Sequence, residues 1–533
     1  MYNNYTPLQQ RQLALQEYSN TQSTYLLVCA PARSTALKAT LTDQLHRKFR
    51  LVDRLGGELT ASVDGVLLAA EDVELMSTAL MYFAKALQDG ADYAVCNAVF
   101  GFGGATALYQ SQPLQAQNRC AVVSRTLLER CRAAAHDPEN VPELLALAAQ
   151  LCTKPTLIPQ ALLHYERGIC AEDAFSAHGK RAFIMSHVLD MTGAPIVLVS
   201  AVPVLRSMGY EVLVLGPSDG GSLHLFLDAG ASVITRSSCR NVSDAWGMAL
   251  CADFVIANTV VMARAVRALS GTAVPVLWWL HDAFAGYPHI AHQIPTQLGE
   301  NVRVYSVGSH AANAMHAVRP EFEIRPLIYG LPDYAAENFV RTDLGYNRGR
   351  PLFATVGSFE RRKGHDIFCK AIRLLPPEVR EKASFLFVGQ AADKEMMDSV
   401  RALTADYPEN VYYCKRLTRD EIKSLMEQCT GLVCASRDDP MPTFVTEGLI
   451  FGKPSIVSEH TGTAGLISEG RNGFVYHNDD PQQLAVLLEH AIEHPEELSS
   501  MRTECRKMYE QYYSKEAFEQ TLRAAVEDLT AKK

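Results

Sequence analysis

Gly431-Leu-Val-Cys-Ala-Ser-Arg-Asp-Asp-Pro-Met-Pro-Thr-Phe-Val-Thr-Glu-Gly-Leu-Ile-Phe-Gly-Lys-Pro454, continuing as Ser455-Ile-Val-Ser-Glu-His-Thr-Gly-Thr-Ala-Gly465, is the stretch on which the fold turns. Its opening run, Leu432 to Ala435, is apolar and short, the length of a buried strand. A polar turn follows from Ser436 to Pro442 and holds Arg437, Asp438 and Asp439. A helix is expected from about Pro442, because proline suits a first turn whose N–H has no intrahelical acceptor. Gly452 and Pro454 read as its stop, and Ile456-Val457 open another strand. Strand, loop, helix, strand is one crossover unit of a parallel sheet.

The chemistry sits where the loop meets the helix. A helix start offers free N–H groups and the positive end of the dipole, which suits phosphate. Asp439 lies just before the helix and Glu447 about one turn inside it. With a diphosphate at Met441, Pro442, Thr443 and Phe444, a carboxylate at 447 would grip ribose hydroxyls. One at 439 would hold the hydroxyls of a group on the second phosphate, and a nucleotide-sugar has that layout. The same acids also read as a helix-start acid and a solvated helix residue, so residue types leave both readings open. The segment resembles the donor signature of the retaining glycosyltransferases of family 4: Glu, seven residues, Glu, a helix of small residues, Gly-x-Pro and a strand. Glu447 matches, and Asp439 stands one methylene short of the family's first acid, which bears on sugar preference more than on nucleotide binding.

Upstream, strand Leu352 to Val356 runs into Gly357-Ser-Phe-Glu-Arg-Arg-Lys-Gly-His-Asp366 and then a helix to about Leu375. Three cations at a helix start oppose the dipole; a phosphate between them explains the pattern, and so does a solvated basic loop. The segment resembles the family's Gly-x-x-x-x-x-Lys-Gly motif, which implies that Lys363 contacts the donor diphosphate. Ser358 stands where the family usually carries Arg, and Arg361 or Arg362 is expected to supply that charge. A further strand, Ser384 to Val388, ends at Gly389, placed with the donor-binding residues. Residues 350–512 form the expected donor domain, and 513–533 a helix that the resemblance implies crosses back.

Residues 178–335 read as a Rossmann-like domain that begins with strand Arg181 to His187, a turn through Thr192, Gly193 and Ala194, and a helix. Small residues there let backbone approach a diphosphate or acceptor. Val274 to Leu280 runs into His281 at the carboxyl end of a strand, where ligands bind in open α/β sheets; local hydrogen bonding would equally account for it. The resemblance implies that His281 lies by the reacting sugar. The expected fold class is therefore α/β with two Rossmann-like domains, the GT-B arrangement.

A smaller α/β domain is expected over 23–168, after a Gln/Asn-rich tail at 1–22. Asp64-Gly-Val-Leu-Leu-Ala-Ala-Glu-Asp, Ser124-Arg-Thr-Leu-Leu and Ile158-Pro-Gln-Ala-Leu-Leu-His-Tyr resemble a family 2 glycosyltransferase of GT-A fold. That family holds a metal with an Asp-x-Asp, whereas the matching positions here are Ala69, Ala70 and Glu71, with Asp72 next. Alanines cannot ligate a hard cation that wants several oxygens, so the domain is expected to be degenerate and to serve packing or partner binding, the alternative being a second active transferase. Gly101, Gly103 and Gly104 read as a loop.

The chain has 533 residues, 48% hydrophobic and 20% charged, enough for several domains. A net charge of −9 argues against a nucleic-acid partner. Thirteen scattered cysteines without a Cys-x-x-Cys pair read as reduced thiols, and no secretory leader or spanning run is seen, so a cytoplasmic location is expected. The expected function is transfer of a sugar from a nucleotide-sugar to a glycan, lipid-linked or protein acceptor, with retention implied by the family. No metal or cofactor is expected, because cations and a helix start can cover the diphosphate charge. Peripheral contact with the inner membrane face is an option for a lipid-linked acceptor, although no basic amphipathic helix supports it. The alternatives are a non-catalytic transferase-like partner and a nucleotide-sugar epimerase of the same fold.

Overall fold

The computed structural model describes residues 23–29, 35–41, 44, 46–55, 59–70, 73–76, 78–102, 106–110, 119–165, 179–218, 220–236 and 248–531. The expected tail at 1–22, Glu71, Asp72, Gly103 and Gly104 lie outside these residues. The chain divides into two compact units between Val255 and Ile256.

In the first unit the strands are β1 (Leu26–Cys29), β2 (Phe49–Val52), β3 (Gly65–Ala69), β4 (Glu74–Leu75), β5 (Tyr93–Phe102), β6 (Thr106–Gln110), β7 (Cys120–Ser124), β8 (Pro155–Tyr165), β9 (Lys180–Met185), β10 (Tyr210–Gly216) and β11 (Ser232–Arg236). The helices are α1 (Thr35–Leu41), α2 (Ala79–Gln88), α3 (Arg125–Ala134), α4 (Val141–Leu151), α5 (Gly193–Ser207) and α6 (Leu223–Asp228). The alternation of side chains along a strand sorts the core into two layers. Leu26, Val28 and Leu67 face Leu80 and Phe83 of α2. Leu27, Cys29, Val66 and Leu68 face Leu127 and Leu128 of α3 and Leu144 and Leu145 of α4.

β2, β1 and β3 run parallel, and β7 lies antiparallel between β3 and β5. β9, β10 and β11 are parallel neighbours. β6 lies antiparallel to both β5 and β11, with Val233 opposite Tyr109 and Arg236 opposite Thr106. One sheet therefore runs from the opening strands into those that follow residue 178.

The second unit holds two parallel sheets. The first contains β12 (Phe254–Asn258, its last three residues in this unit), β13 (Val276–Leu280), β14 (Val302–Ser306) and β15 (Ile324–Pro326), in that order, with α7 (Ala263–Leu269) and α8 (Ser309–His316). The second is built from β16 (Leu352–Val356), β17 (Ser384–Val388), β18 (Val411–Cys414), β19 (Gly431–Cys434), β20 (Ser455–Ser458) and β21 (Gly473–Tyr476), ordered β18-β17-β16-β19-β20-β21. Around it lie α9 (His365–Leu374), α10 (Pro377–Arg380), α11 (Lys394–Asp406), α12 (Arg419–Gln428), α13 (Thr443–Ile450), α14 (Pro481–Glu493), α15 (Pro495–Ser500) and α16 (Arg502–Met508). The final helix, α17 (Lys515–Thr530), returns to the first of these sheets: Phe518 stacks on Trp279 of β13 with ring centres 5.7 Å apart. The Trp279 indole donates to the Leu327 carbonyl at 2.9 Å, which satisfies the one polar atom of a fully buried ring.

Both units are α/β, and the parallel sheets of the second are Rossmann-like. Among the described residues no helix is long and apolar enough to cross a membrane.

Candidate active site

In the six-stranded sheet the chain order reverses between β16 and β19, and open α/β sheets bind ligands beyond the carboxyl ends of strands at such a reversal. The loop after β16 ends in a short 3-10 turn, Arg361–Lys363, closed by Gly364 at φ 66°. A Cβ at Gly364 would collide with the carbonyl oxygen of Ala435, the residue after β19. Glycine is therefore needed both for its left-handed backbone and for the close approach of the two loops. Across that approach Lys363 Nζ lies 2.6 Å from Asp439 Oδ2, with side-chain exposures of 19% and 4%. Ser436 Oγ points to the same oxygen at 3.5 Å.

The neighbours of Asp439 are equally committed. Arg437 makes a two-pronged pair with Asp366 of α9, both contacts 2.8 Å, and bonds to Asp479 at 2.8 Å. Burial alone would raise the Asp366 carboxyl, but the guanidinium outweighs it and holds the group below its usual range. Asp438 Oδ1 accepts from His310 Nε2 at 2.7 Å and from the Phe284 N–H at 3.2 Å, and Oδ2 accepts from the Ala285 N–H at 2.8 Å. Burial pushes Asp438 up, and these donors more than reverse it, so its carboxyl is also lowered.

Helix α13 begins at Thr443 after Pro442, and its first backbone bond runs from Val445 N to the Pro442 carbonyl at 3.1 Å. Among the described residues no protein acceptor faces the N–H groups of Met441, Thr443 or Phe444. Three backbone donors are thus left without a protein acceptor at the end where the dipole is positive. The Met441 and Phe444 side chains are buried; Met441 Sδ accepts from Tyr513 at 3.4 Å. One turn into the helix, Glu447 Oε1 lies 2.7 Å from Arg419 Nη1. The Arg419 guanidinium also rests 4.3 Å above the Tyr334 ring.

The sequence-selected residues fall into groups. Lys363, Asp439, Met441, Pro442, Thr443, Phe444 and Glu447 come together around the β16 and β19 loops. Ser358 Oγ donates to Glu360, which also takes Arg362 Nε at 2.8 Å. The Arg361 carbonyl accepts from Arg437 at 2.8 Å, while Gly389 packs so closely on the Gly357 carbonyl that a Cβ would collide with it. Thr192, Gly193 and Ala194 belong to the first unit, at the start of α5, where Thr192 N donates to Asp190 at 3.1 Å. Sequence reasoning passed over Arg419, Arg437, Asp438 and His310. Asp438 touches Asp439 in the chain and Arg419 lies inside the Thr418–Glu421 capping box, but their partners lie far away in sequence.

His281 follows β13, its ring 4.6 Å from that of Trp279. At the neighbouring strand end Thr259 takes a φ of 70°, a strained value for a β-branched residue. That turn brings Val260 N to 2.5 Å from Asp282 Oδ2. Withdrawal of the carboxyl from water, only partly offset by the Val260 and His281 N–H groups, pushes Asp282 up to about 6. A carboxyl raised by folding supports the fold in its protonated form, fully below about pH 4, and loses that support as pH rises through 6. Asp282→Asn should therefore stabilise the protein at pH 7.5, by about 2 kcal/mol, and by almost nothing at pH 4. Urea midpoints at the two pH values check this; an equal effect at both would remove the ionised carboxylate as its cause.

Residues 178–321 match the family described as Glycosyl-transferase family 4, and residues 337–508 match Glycosyl transferases group 1. Among curated proteins, the uncharacterized glycosyltransferase MJ1178 of Methanocaldococcus jannaschii is 25% identical over 36% of this chain and 53% of its own. Spore coat protein SA of Bacillus subtilis is 26% identical over 28% of this chain and 41% of its own. The chain thus spans about half the length of the curated relatives it matches. Among solved structures, Anabaena Alr3699/HepE in complex with UDP superposes with a TM-score of 0.54 at 18% identity, over 66% of this chain and all of that one. That likeness is one of fold.

Proposed function

We infer that this chain, a family 4 glycosyltransferase by residues 178–321 and a group 1 glycosyltransferase by residues 337–508, transfers a sugar from a nucleotide-sugar to an acceptor hydroxyl. The observation that carries the reading is the Lys363–Asp439 pair, held at the strand-order reversal in the loop that leads to a helix start with three backbone N–H groups lacking a protein acceptor. A diphosphate at the start of α13 would draw Lys363 from Asp439, leaving that carboxylate to hold hydroxyls of the donor sugar. Lys363 and the helix N–H groups would then offset the charge that grows on the leaving diphosphate, the kind of fixed electrostatic help that dominates such reactions. Glu447, aimed by Arg419, would hold the ribose. His281 would stand beside the reacting sugar.

In this reading two sources of positive potential do the work of a divalent cation, and catalysis proceeds without metal. Retention follows a front-face course: the glycosidic bond to phosphate breaks as the acceptor oxygen bonds to the same face, and the departing phosphate oxygen takes the acceptor's proton. UDP is the favoured nucleotide, since HepE has been solved with UDP and with UDP-glucose. Residues 23–168 are read as a degenerate GT-A-like domain, because β3 ends at Ala69 and Ala70 follows where a metal-holding pair of acids would be needed.

Calorimetry and donor hydrolysis over a panel of UDP-, GDP- and ADP-sugars test the reading. We expect micromolar binding of at least one donor, with slow hydrolysis that EDTA leaves unchanged. Silence across the panel would end it, and binding without turnover by any acceptor would assign a non-catalytic partner instead.

A further inference from the structure

Among the described residues Phe284 is the one exposed phenylalanine, with 42% of its surface open. It opens the 3-10 turn Phe284–Gly286, three residues after His281. The turn is not slack: the Phe284 and Ala285 N–H groups are both held by Asp438, which His310 also grips. Asp438 precedes Asp439 by one peptide bond, so the exposed ring is anchored to the loop assigned to the donor. The Phe284 ring centre lies 5.1 Å from that of His310, and His310 lies 5.8 Å from His460, which is exposed. An open phenyl, a buried imidazole and an open imidazole therefore form a row.

The imidazoles have definite roles in this row. His460 Nδ1 faces the Arg437 carbonyl at 3.2 Å. A carbonyl can only accept, so the contact places a proton on Nδ1, and in the neutral ring Nε2 is the acceptor. His310 Nε2 faces a carboxylate in the same way and is a donor.

We propose that this row is the acceptor subsite and that it takes a hexopyranose ring, with Phe284 beneath the ring's C–H face and His460 Nε2 accepting from a hydroxyl. The proposal rests on the transferase reading and narrows its acceptor to a saccharide. A pyranose presents an apolar face and a rim of hydroxyls, so it needs one open aromatic ring and a polar atom nearby. An acyl chain would need a broad apolar patch of several hundred Å². Among the described residues of the second unit the other exposed large apolar residues are Val340, Leu374 and Val486, and none lies on the elements that surround Phe284. Anchoring by Asp438 also spares the ring the ordering cost of a mobile loop.

The test uses the full chain with UDP and a panel of methyl glucosides, galactosides and mannosides, followed by saturation-transfer NMR, with UDP affinity measured in parallel by calorimetry. At least one glycoside should receive saturation on its ring C–H protons. Phe284→Ala should weaken that glycoside about tenfold, Phe284→Trp should restore it, and His460→Ala should weaken it again, with UDP affinity kept within about twofold. No saturation with any glycoside, or equal binding by Phe284→Ala, overturns the proposal. So does octyl glucoside saturated on its chain alone, which marks a lipid occupant. If glycosides bind through Phe284 and no UDP-, GDP- or ADP-sugar gives heat, the transferase reading falls while the saccharide site stands. If UDP binds and Phe284→Ala changes nothing, the reading stands and the subsite falls.

Discussion

Replacing Lys363 with alanine should lower sugar transfer by about a hundredfold to a thousandfold, the loss typical when one fixed donor to a developing anion is removed. The same substitution should lower stability by about 3 kcal/mol, because it strands the carboxylate of Asp439 in a nearly closed site. The two effects separate in the double variant Lys363→Met with Asp439→Asn. Removing both charges relieves the buried anion, so the urea midpoint should return close to that of the parent, whereas transfer stays lost. A double variant that regains both stability and turnover would reduce the pair to a strut between two loops. Alanine at 363 with full activity would remove the proposed phosphate cation outright.

Glu447→Ala should weaken UDP binding about a hundredfold, as expected when two charge-assisted hydrogen bonds to ribose hydroxyls are lost. Glu447→Gln should fall between, since it keeps the length and loses the charge. Stability should change by no more than about 1 kcal/mol, because Arg419 is roughly half exposed and can turn its guanidinium to water. Calorimetry with UDP and urea unfolding read the two quantities independently. Unaltered UDP affinity with a large drop in stability would mean that Glu447 serves to anchor Arg419 over Tyr334, and the donor site would have to be sought elsewhere.

Much of the crossover unit around α13 was legible because its signals are local. Leu432 to Ala435 has the length of a strand, Pro442 suits a first turn, and Gly452 with Pro454 stops the helix; the structure places strand and helix within a residue of those limits. The sheet order was not legible, since nothing in Leu352–Val356 tells which strand will lie beside it. The clamps around Asp439 were hidden for the same reason: Arg437 meets Asp366 across 71 positions and Asp438 meets His310 across 128. Local pattern misled at Gly101, which reads as a loop but lies in β5, Tyr93–Phe102. β6 was missed, because its five residues, Thr106–Gln110, are too few to announce a strand by alternation.

The pairing of β6 with β11 has a consequence for any attempt to isolate a smaller catalytic fragment. A chain begun near Lys180 would keep the glycosyltransferase segments but lose β6, uncovering the backbone of Val233 to Arg236. Unpaired strand borders of that kind recruit other chains. In the full chain β6 keeps that border paired, so such a fragment should aggregate more readily than the whole protein.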